Sequence, residues 1–74
     1  MTRLPEFKYN ALIKKLNKAG FFLKRSKSGS HEVWFNPETK RTSVIPKHNK
    51  PLPKGLLRDI IRQMGLTVKE FLDL

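Results

Sequence analysis

Arg25-Ser26-Lys27-Ser28-Gly29-Ser30-His31 is the stretch on which the reading of the fold turns. It is basic, rich in hydroxyls, broken by one glycine and closed by an imidazole, and it has no apolar side chain with which to join a core. Ser28-Gly29-Ser30 is turn chemistry, because glycine adopts left-handed backbone angles without steric cost and serine bonds readily to nearby backbone. Such a turn has to join the two segments beside it. Phe21 to Ser26 reads as a strand, with Phe21 and Leu23 on one face and Phe22 and Lys24 on the other. His31 to Asn36 reads as a second strand, which sets His31, Val33 and Phe35 on one face and Glu32 and Trp34 on the other.

Further out, Asn36-Pro37-Glu38-Thr39 is the next turn, with proline at its second position. Arg41 to Pro46 is a third strand, and short runs joined by tight turns predict an antiparallel meander. Upstream, Tyr9, Leu12, Ile13, Leu16 and Ala19 recur at three- and four-residue steps, which predicts a helix from about Lys8 to Ala19. Lys14, Lys15 and Lys18 fall on its opposite, basic side, and Gly20 supplies a left-handed stop. Met1 to Lys8 reads as a loosely held leader, in which Pro5 discourages helix at Leu4.

Downstream, Lys47 to Pro53 is a polar, proline-stiffened loop. A second helix is predicted from Lys54 to Met64, with Leu57, Ile60, Ile61 and Met64 on one stripe and Lys54, Arg58 and Arg62 on another as a basic ridge. Gly65 closes it. Thr67-Val68-Lys69-Glu70 fits a capping box and opens a short last helix carrying Val68, Phe71 and Leu72. The order α-β-β-β-α(α) predicts an α+β fold with helices packed on one face of a three-stranded antiparallel sheet. Residues 1–74 are expected to form a single domain.

Sixteen Lys and Arg against six Asp and Glu give a formal net charge of +10, and the pI of about 10.5 lies above the value of about 9 that marks a nucleic-acid binder. An excess this large in 74 residues favours a nucleic acid or an acidic protein partner over a merely solubilising surface. There is no cysteine, which excludes a disulfide framework, a thiolate nucleophile and a Cys-ligated metal. No apolar run approaches the roughly 18 residues of a membrane span, and no signal-peptide core is present, so a soluble cytoplasmic protein is expected. Two histidines far apart and six scattered carboxylates lack the usual metal-ligand spacings. No metal or other cofactor is expected.

His31 is the sharpest candidate for chemistry. At the mouth of a glycine turn it is expected to be exposed, and Lys24, Arg25 and Lys27 nearby disfavour its imidazolium form. A neutral imidazole accepts a proton, for example from an RNA 2′-hydroxyl. An ordinary surface histidine explains the same position. Gly29 and Ser30 suit an anion-binding nest of backbone N–H groups, and a plain hairpin needs the same residues. His48 stands either as a second acid–base or phosphate-binding group or as a structural part of its loop. The rings of Trp34 and Phe22 are able to stack on bases, but both are expected to be partly buried strand residues, since so small a core needs its aromatics.

Lys18-Ala19-Gly20-Phe21, Gly29-Ser30-His31, Ile45-Pro46-Lys47-His48, Pro53-Lys54-Gly55-Leu56-Leu57-Arg58-Asp59-Ile60-Ile61, Gly65-Leu66-Thr67 and Glu70-Phe71 resemble, in order and spacing, the HicA toxin family. The resemblance covers nearly the whole chain. It implies a double-stranded-RNA-binding-domain-like fold and a ribosome-independent mRNA endoribonuclease, restrained by a HicB-type antitoxin within a type II toxin–antitoxin pair. The family's catalytic histidine falls on the Gly-Ser-His motif, hence on His31. Lys24, Arg25, Lys27, Gly29, Ser30 and His48 are then the expected RNA- and phosphate-binding residues. Lys47 departs from the pattern, standing where many members carry an apolar residue. Two rival readings are a non-catalytic RNA-binding module of the same fold and, ranked last, a small DNA-binding or protein-interaction domain. Three strands separate the helices where a helix-turn-helix has a short turn.

Overall fold

The computed structural model describes residues 3–27, 29–47 and 50–74. The chain runs α1 (Tyr9–Lys18), β1 (Phe22–Lys27), β2 (His31–Asn36), β3 (Arg41–Pro46), α2 (Lys54–Gln63) and α3 (Val68–Leu72). The strands pair antiparallel in the order β1-β2-β3. Helices cover one face of this sheet, giving an α+β, double-stranded-RNA-binding-domain-like architecture.

The period of two along β2 decides which face is covered. Trp34 is 6% exposed and joins Ile45 of β3 in a core with Leu12 and Leu16 of α1, Leu57, Ile60 and Ile61 of α2, and Phe71 of α3. Glu32, two residues from Trp34, has to face the same way and is buried. A buried carboxylate is tolerated only with donors around it. Here the Tyr9 hydroxyl and, at 3.3 Å, Trp34 Nε1 both donate to Glu32 Oε1. Asn36 is the third inward residue. Its Nδ2 donates to the Ala19 carbonyl at 3.1 Å, while its Oδ1 accepts the N–H groups of Glu38 and Thr39 at 2.9 and 3.3 Å. The inward polar side chains of β2 thus tie it to both ends of α1 and to the following turn.

Both glycine stops form as predicted. At Gly20 (φ 94°), the Gly20 N–H donates to the Asn17 carbonyl and the Phe21 N–H returns to that of Leu16 at 2.9 Å, the pairing of a Schellman cap. Gly65 and Leu66 repeat it on Arg62 and Ile61. The Thr67/Glu70 capping box is present, and hydrogen bonds from the Thr67 backbone N–H, then its hydroxyl, hold the Glu70 carboxyl below its ordinary pKa. Gln63 covers part of the β3 edge: its Oε1 accepts from the buried Ser43 hydroxyl at 2.8 Å and from the Val44 N–H at 3.2 Å. A free edge donor is thereby removed.

Two expectations are corrected. The leader is not loose: Leu4 and Phe7 are buried in the core, the Phe7 carbonyl accepts from the Leu52 N–H at 2.8 Å, and the Phe7 ring meets Phe71 edge-on at 5.2 Å. Three helices too short to close the core alone leave a gap that this extended segment fills. Lys15 does not belong to a solvated basic face. Its Nζ donates to the backbone oxygens of Leu72, the last residue of α3, and of Leu74 beyond it, at 3.0 and 2.7 Å, and lies 5.9 Å from the Phe71 ring centroid, at a helix end where carbonyls lack intrahelical partners.

Tyr9 is the chain's one tyrosine. Burial, then its hydrogen bond to Glu32 and that carboxylate's charge, push its pKa from 10.0 up to about 12. A raised folded-state pKa contributes stability that is complete below the unfolded value and disappears as pH rises through the folded one. Absorbance titration of the folded protein is expected to show phenolate forming near pH 12, and the denatured protein near pH 10; one shared midpoint would contradict this. Tyr9→Phe removes a hydrogen bond to a charged, buried group and is expected to cost about 2 kcal/mol. Thermal melts check this, with a fall of roughly 8–16 °C for a domain of this size.

Candidate functional site

The uncovered face of the sheet is built in three rungs. Directly paired residues share a face, so the register places Lys27, His31 and Pro46 on the first rung, Arg25, Val33 and Val44 on the second, and Phe22, Phe35 and Thr42 on the third. Strict alternation along β1 would have put Arg25 and Lys27 opposite Phe22. A bulge prevents this: Leu23 pairs with Trp34 and Arg25 with Val33, leaving Lys24 as the extra residue. Such an insertion resets which side chains point to each face. Lys24 also turns outward, its Nζ lying 5.2 Å from the Phe35 ring centroid, a cation–π contact. Lys24, Arg25 and Lys27 therefore share one face with His31, and no carboxylate occurs among the paired residues of that face.

The first rung is the mouth of the hairpin. Lys27 and His31 are direct cross-strand partners, both exposed, on either side of the turn. Gly29 has φ 71°, a conformation that favours glycine, so the hairpin itself requires it. A side chain built there would meet nothing within 4 Å, which leaves the turn backbone open to a ligand. Ser30 Oγ lies 3.2 Å from His31 Nδ1. The Lys47 N–H donates to the Ser30 carbonyl at 2.8 Å and so locks the turn against the end of β3. The Lys47 side chain is exposed, so its charge stays in water at no cost to the loop packing.

Of the expected site residues, Lys27, Gly29, Ser30 and His31 come together at this mouth, Arg25 lies one rung away and Lys24 lies beside the third. His48 and the turn residue Ser28 lie outside the described residues. The exposed ridge Lys54, Arg58 and Arg62 belongs to α2, in the layer on the other side of the sheet from His31. Trp34 is buried and unavailable for stacking, whereas Phe22 is 61% exposed, contrary to the expectation of a partly buried strand residue. Phe35 was placed on the His31 face by the sequence but given no role there, and Lys47 was marked only as a departure from the family pattern. The meander register, which sets Pro46 opposite His31, is the signal that would have found Lys47. This mouth sets an imidazole beside a cation and an exposed glycine turn, groups of the kind that exchange protons and offset charge on a phosphate.

Comparison with known families agrees with the motif reading. A sequence model described as "HicA toxin of bacterial toxin-antitoxin" matches residues 9–66, from the start of α1 to just beyond α2. No curated protein matches the chain.

Gly29→Ala is expected to cost about 1–2 kcal/mol, the penalty for a side chain in a left-handed conformation, and Gly29→Asn less, since asparagine tolerates that region. Chemical denaturation of the two variants measures this directly. An alanine variant as stable as the parent would show that the turn does not hold the left-handed angle.

Proposed function

Because the chain belongs to the HicA toxin family and is therefore the toxin of a toxin–antitoxin system, we propose that it is an endoribonuclease that cuts mRNA without ribosome or metal. The observation that carries this reading is the exposed His31 ring facing Lys27 at the hairpin mouth, with Ser30 Oγ against Nδ1. When Nδ1–H donates to Ser30, the lone pair of the neutral ring sits on Nε2, and that nitrogen takes the proton of a ribose 2′-hydroxyl. The resulting oxygen attacks the adjacent phosphorus and the bond to the 5′-oxygen breaks. The products are a 2′,3′-cyclic phosphate and a 5′-hydroxyl, the latter completed by a proton from water, His48 or a lysine. Lys27 and the N–H groups of Gly29 and Ser30, with Arg25 and Lys24 further along, offset the charge that builds on the phosphate. Contacts of this kind read backbone rather than bases, so this mouth by itself selects sequence weakly.

Restraint follows from the same charge. A HicB-type antitoxin with an acidic surface, laid over the face that carries Lys24, Arg25 and Lys27, neutralises it and blocks His31. Both proteins act in the cytoplasm, where the mRNA is. The exposed ridge on α2 supports one rival, a module that binds RNA and leaves it intact.

Labelled mRNA incubated with the protein in excess EDTA is expected to be cut at the rate seen without EDTA. His31→Ala is expected to slow cutting about 100-fold or more, in line with the loss of a general base. Equal rates for variant and parent, or abolition by EDTA, would refute the mechanism; RNA that shifts on a gel and stays whole with the parent would favour the rival.

A further inference from the structure

The third rung of the open face has no part in the chemistry above. Phe22, at the edge of the sheet, is 61% exposed, the most exposed large apolar side chain among the described residues. Its cross-strand partner is Phe35. Lys24, the extra residue of the bulge, holds its Nζ 5.2 Å from the Phe35 ring centroid, which fixes a cation at this aromatic end of the face. Val44, on the neighbouring rung, is 40% exposed. The face therefore runs from an aromatic, cation-flanked end through Arg25 to the basic mouth at His31.

Aromatic rings on an open sheet beside a track of cations are the arrangement with which single-stranded nucleic acid is held: bases stack on the rings and phosphates follow the cations. We propose that Phe22, steadied by Phe35 and Lys24, is a base-stacking platform that selects single-stranded RNA and sets the distance from the held base to the cut bond. The proposal rests on the nuclease reading for its second half only. Charge complementarity decides the occupant: Lys24, Arg25 and Lys27 face the strand, and no carboxylate is paired into this face. Phe35 stands four residue steps from His31 along β2, about 13 Å at 3.3 Å per residue. That corresponds to about four stacked base steps of 3.4 Å, and to fewer in an extended strand. The stacked base thus lies about two to four nucleotides from the scissile bond.

Two measurements test this. First, a 2′-O-methyl oligouridine, which cannot be cleaved through its 2′-oxygen, is titrated with parent, Phe22→Ala and Phe22→Trp. Phe22→Ala is expected to weaken binding roughly 5- to 150-fold, the range for losing one base stack, with an unchanged melting temperature, because the ring is exposed. Phe22→Trp is expected to restore binding. Second, oligonucleotides with one cleavable ribose and a single abasic site stepped along the strand are cut by the parent. The rate is expected to fall most when the abasic site is about two to four nucleotides from the ribose.

Unchanged affinity of Phe22→Ala for the oligouridine overturns the platform, and overturns it in favour of protein docking when the same variant loses a co-expressed antitoxin. A flat abasic profile overturns the spacing. The nuclease reading fails separately: a parent that binds the uncleavable strand through Phe22 and leaves the cleavable one whole keeps the platform and loses the enzyme.

Discussion

The alternation of side chains along β2 is the constraint from which the rest follows. Trp34 is the largest side chain the strand has to bury, and burying it sends Glu32 and Asn36 inward with it. The same rule turns His31, Val33 and Phe35 outward. A shift of one residue would exchange the two sets and bury the imidazole in place of the indole. Glu32 and Asn36 guard against that slip, since each is held by hydrogen bonds that only the present register supplies. A core requirement thereby fixes the position of a group that contributes nothing to the core.

The bulge in β1 completes the arrangement from the other side. Without the extra residue, Arg25 and Lys27 would point toward the helices, where an unpaired cation is costly. With it, three cations stand on the exposed face and Ser26, a small polar residue, pairs with Glu32 on the covered one. The sheet has an apolar side that stabilises the domain and a basic side that is free for a partner. The net charge of +10 repels itself within so small a molecule. Placing part of it on one open face suits a polyanion, and Lys15 shows another part used internally, on backbone oxygens at and just beyond the end of α3.

Much of this was legible in the sequence, for reasons that can be given residue by residue. The second and third strands and the final capping box were readable because each is defined by local chemistry: period two between turn residues, or a threonine and a glutamate three apart. Gly20 and Gly65 marked helix ends because few other residues enter a left-handed angle cheaply. The exposure of His31 was legible because a polar glycine turn stays at the surface, whereas its role was not, since an ordinary surface histidine fits the same position. What stayed hidden depends on contacts distant in sequence. Leu4 and Phe7 look unattached until Phe71 and Leu52 are brought against them. Lys15 looks solvated until the chain's last turn arrives. The bulge carries no composition signal, so the shared face of Arg25, Lys27 and His31, and the exposure of Phe22, could be read only from the register.

The central claim is that RNA is engaged by the open sheet face and not by the helices. Titration of an isotope-labelled sample with the uncleavable single-stranded RNA, followed by amide and ring chemical shifts, tests it most directly. The account predicts the largest shifts at Phe22, Lys24, Arg25, Lys27, Gly29 and His31, with Lys54, Arg58 and Arg62 on α2 nearly unmoved. Shifts concentrated along α2, with the His31 and Phe22 signals unmoved at saturation, would contradict it.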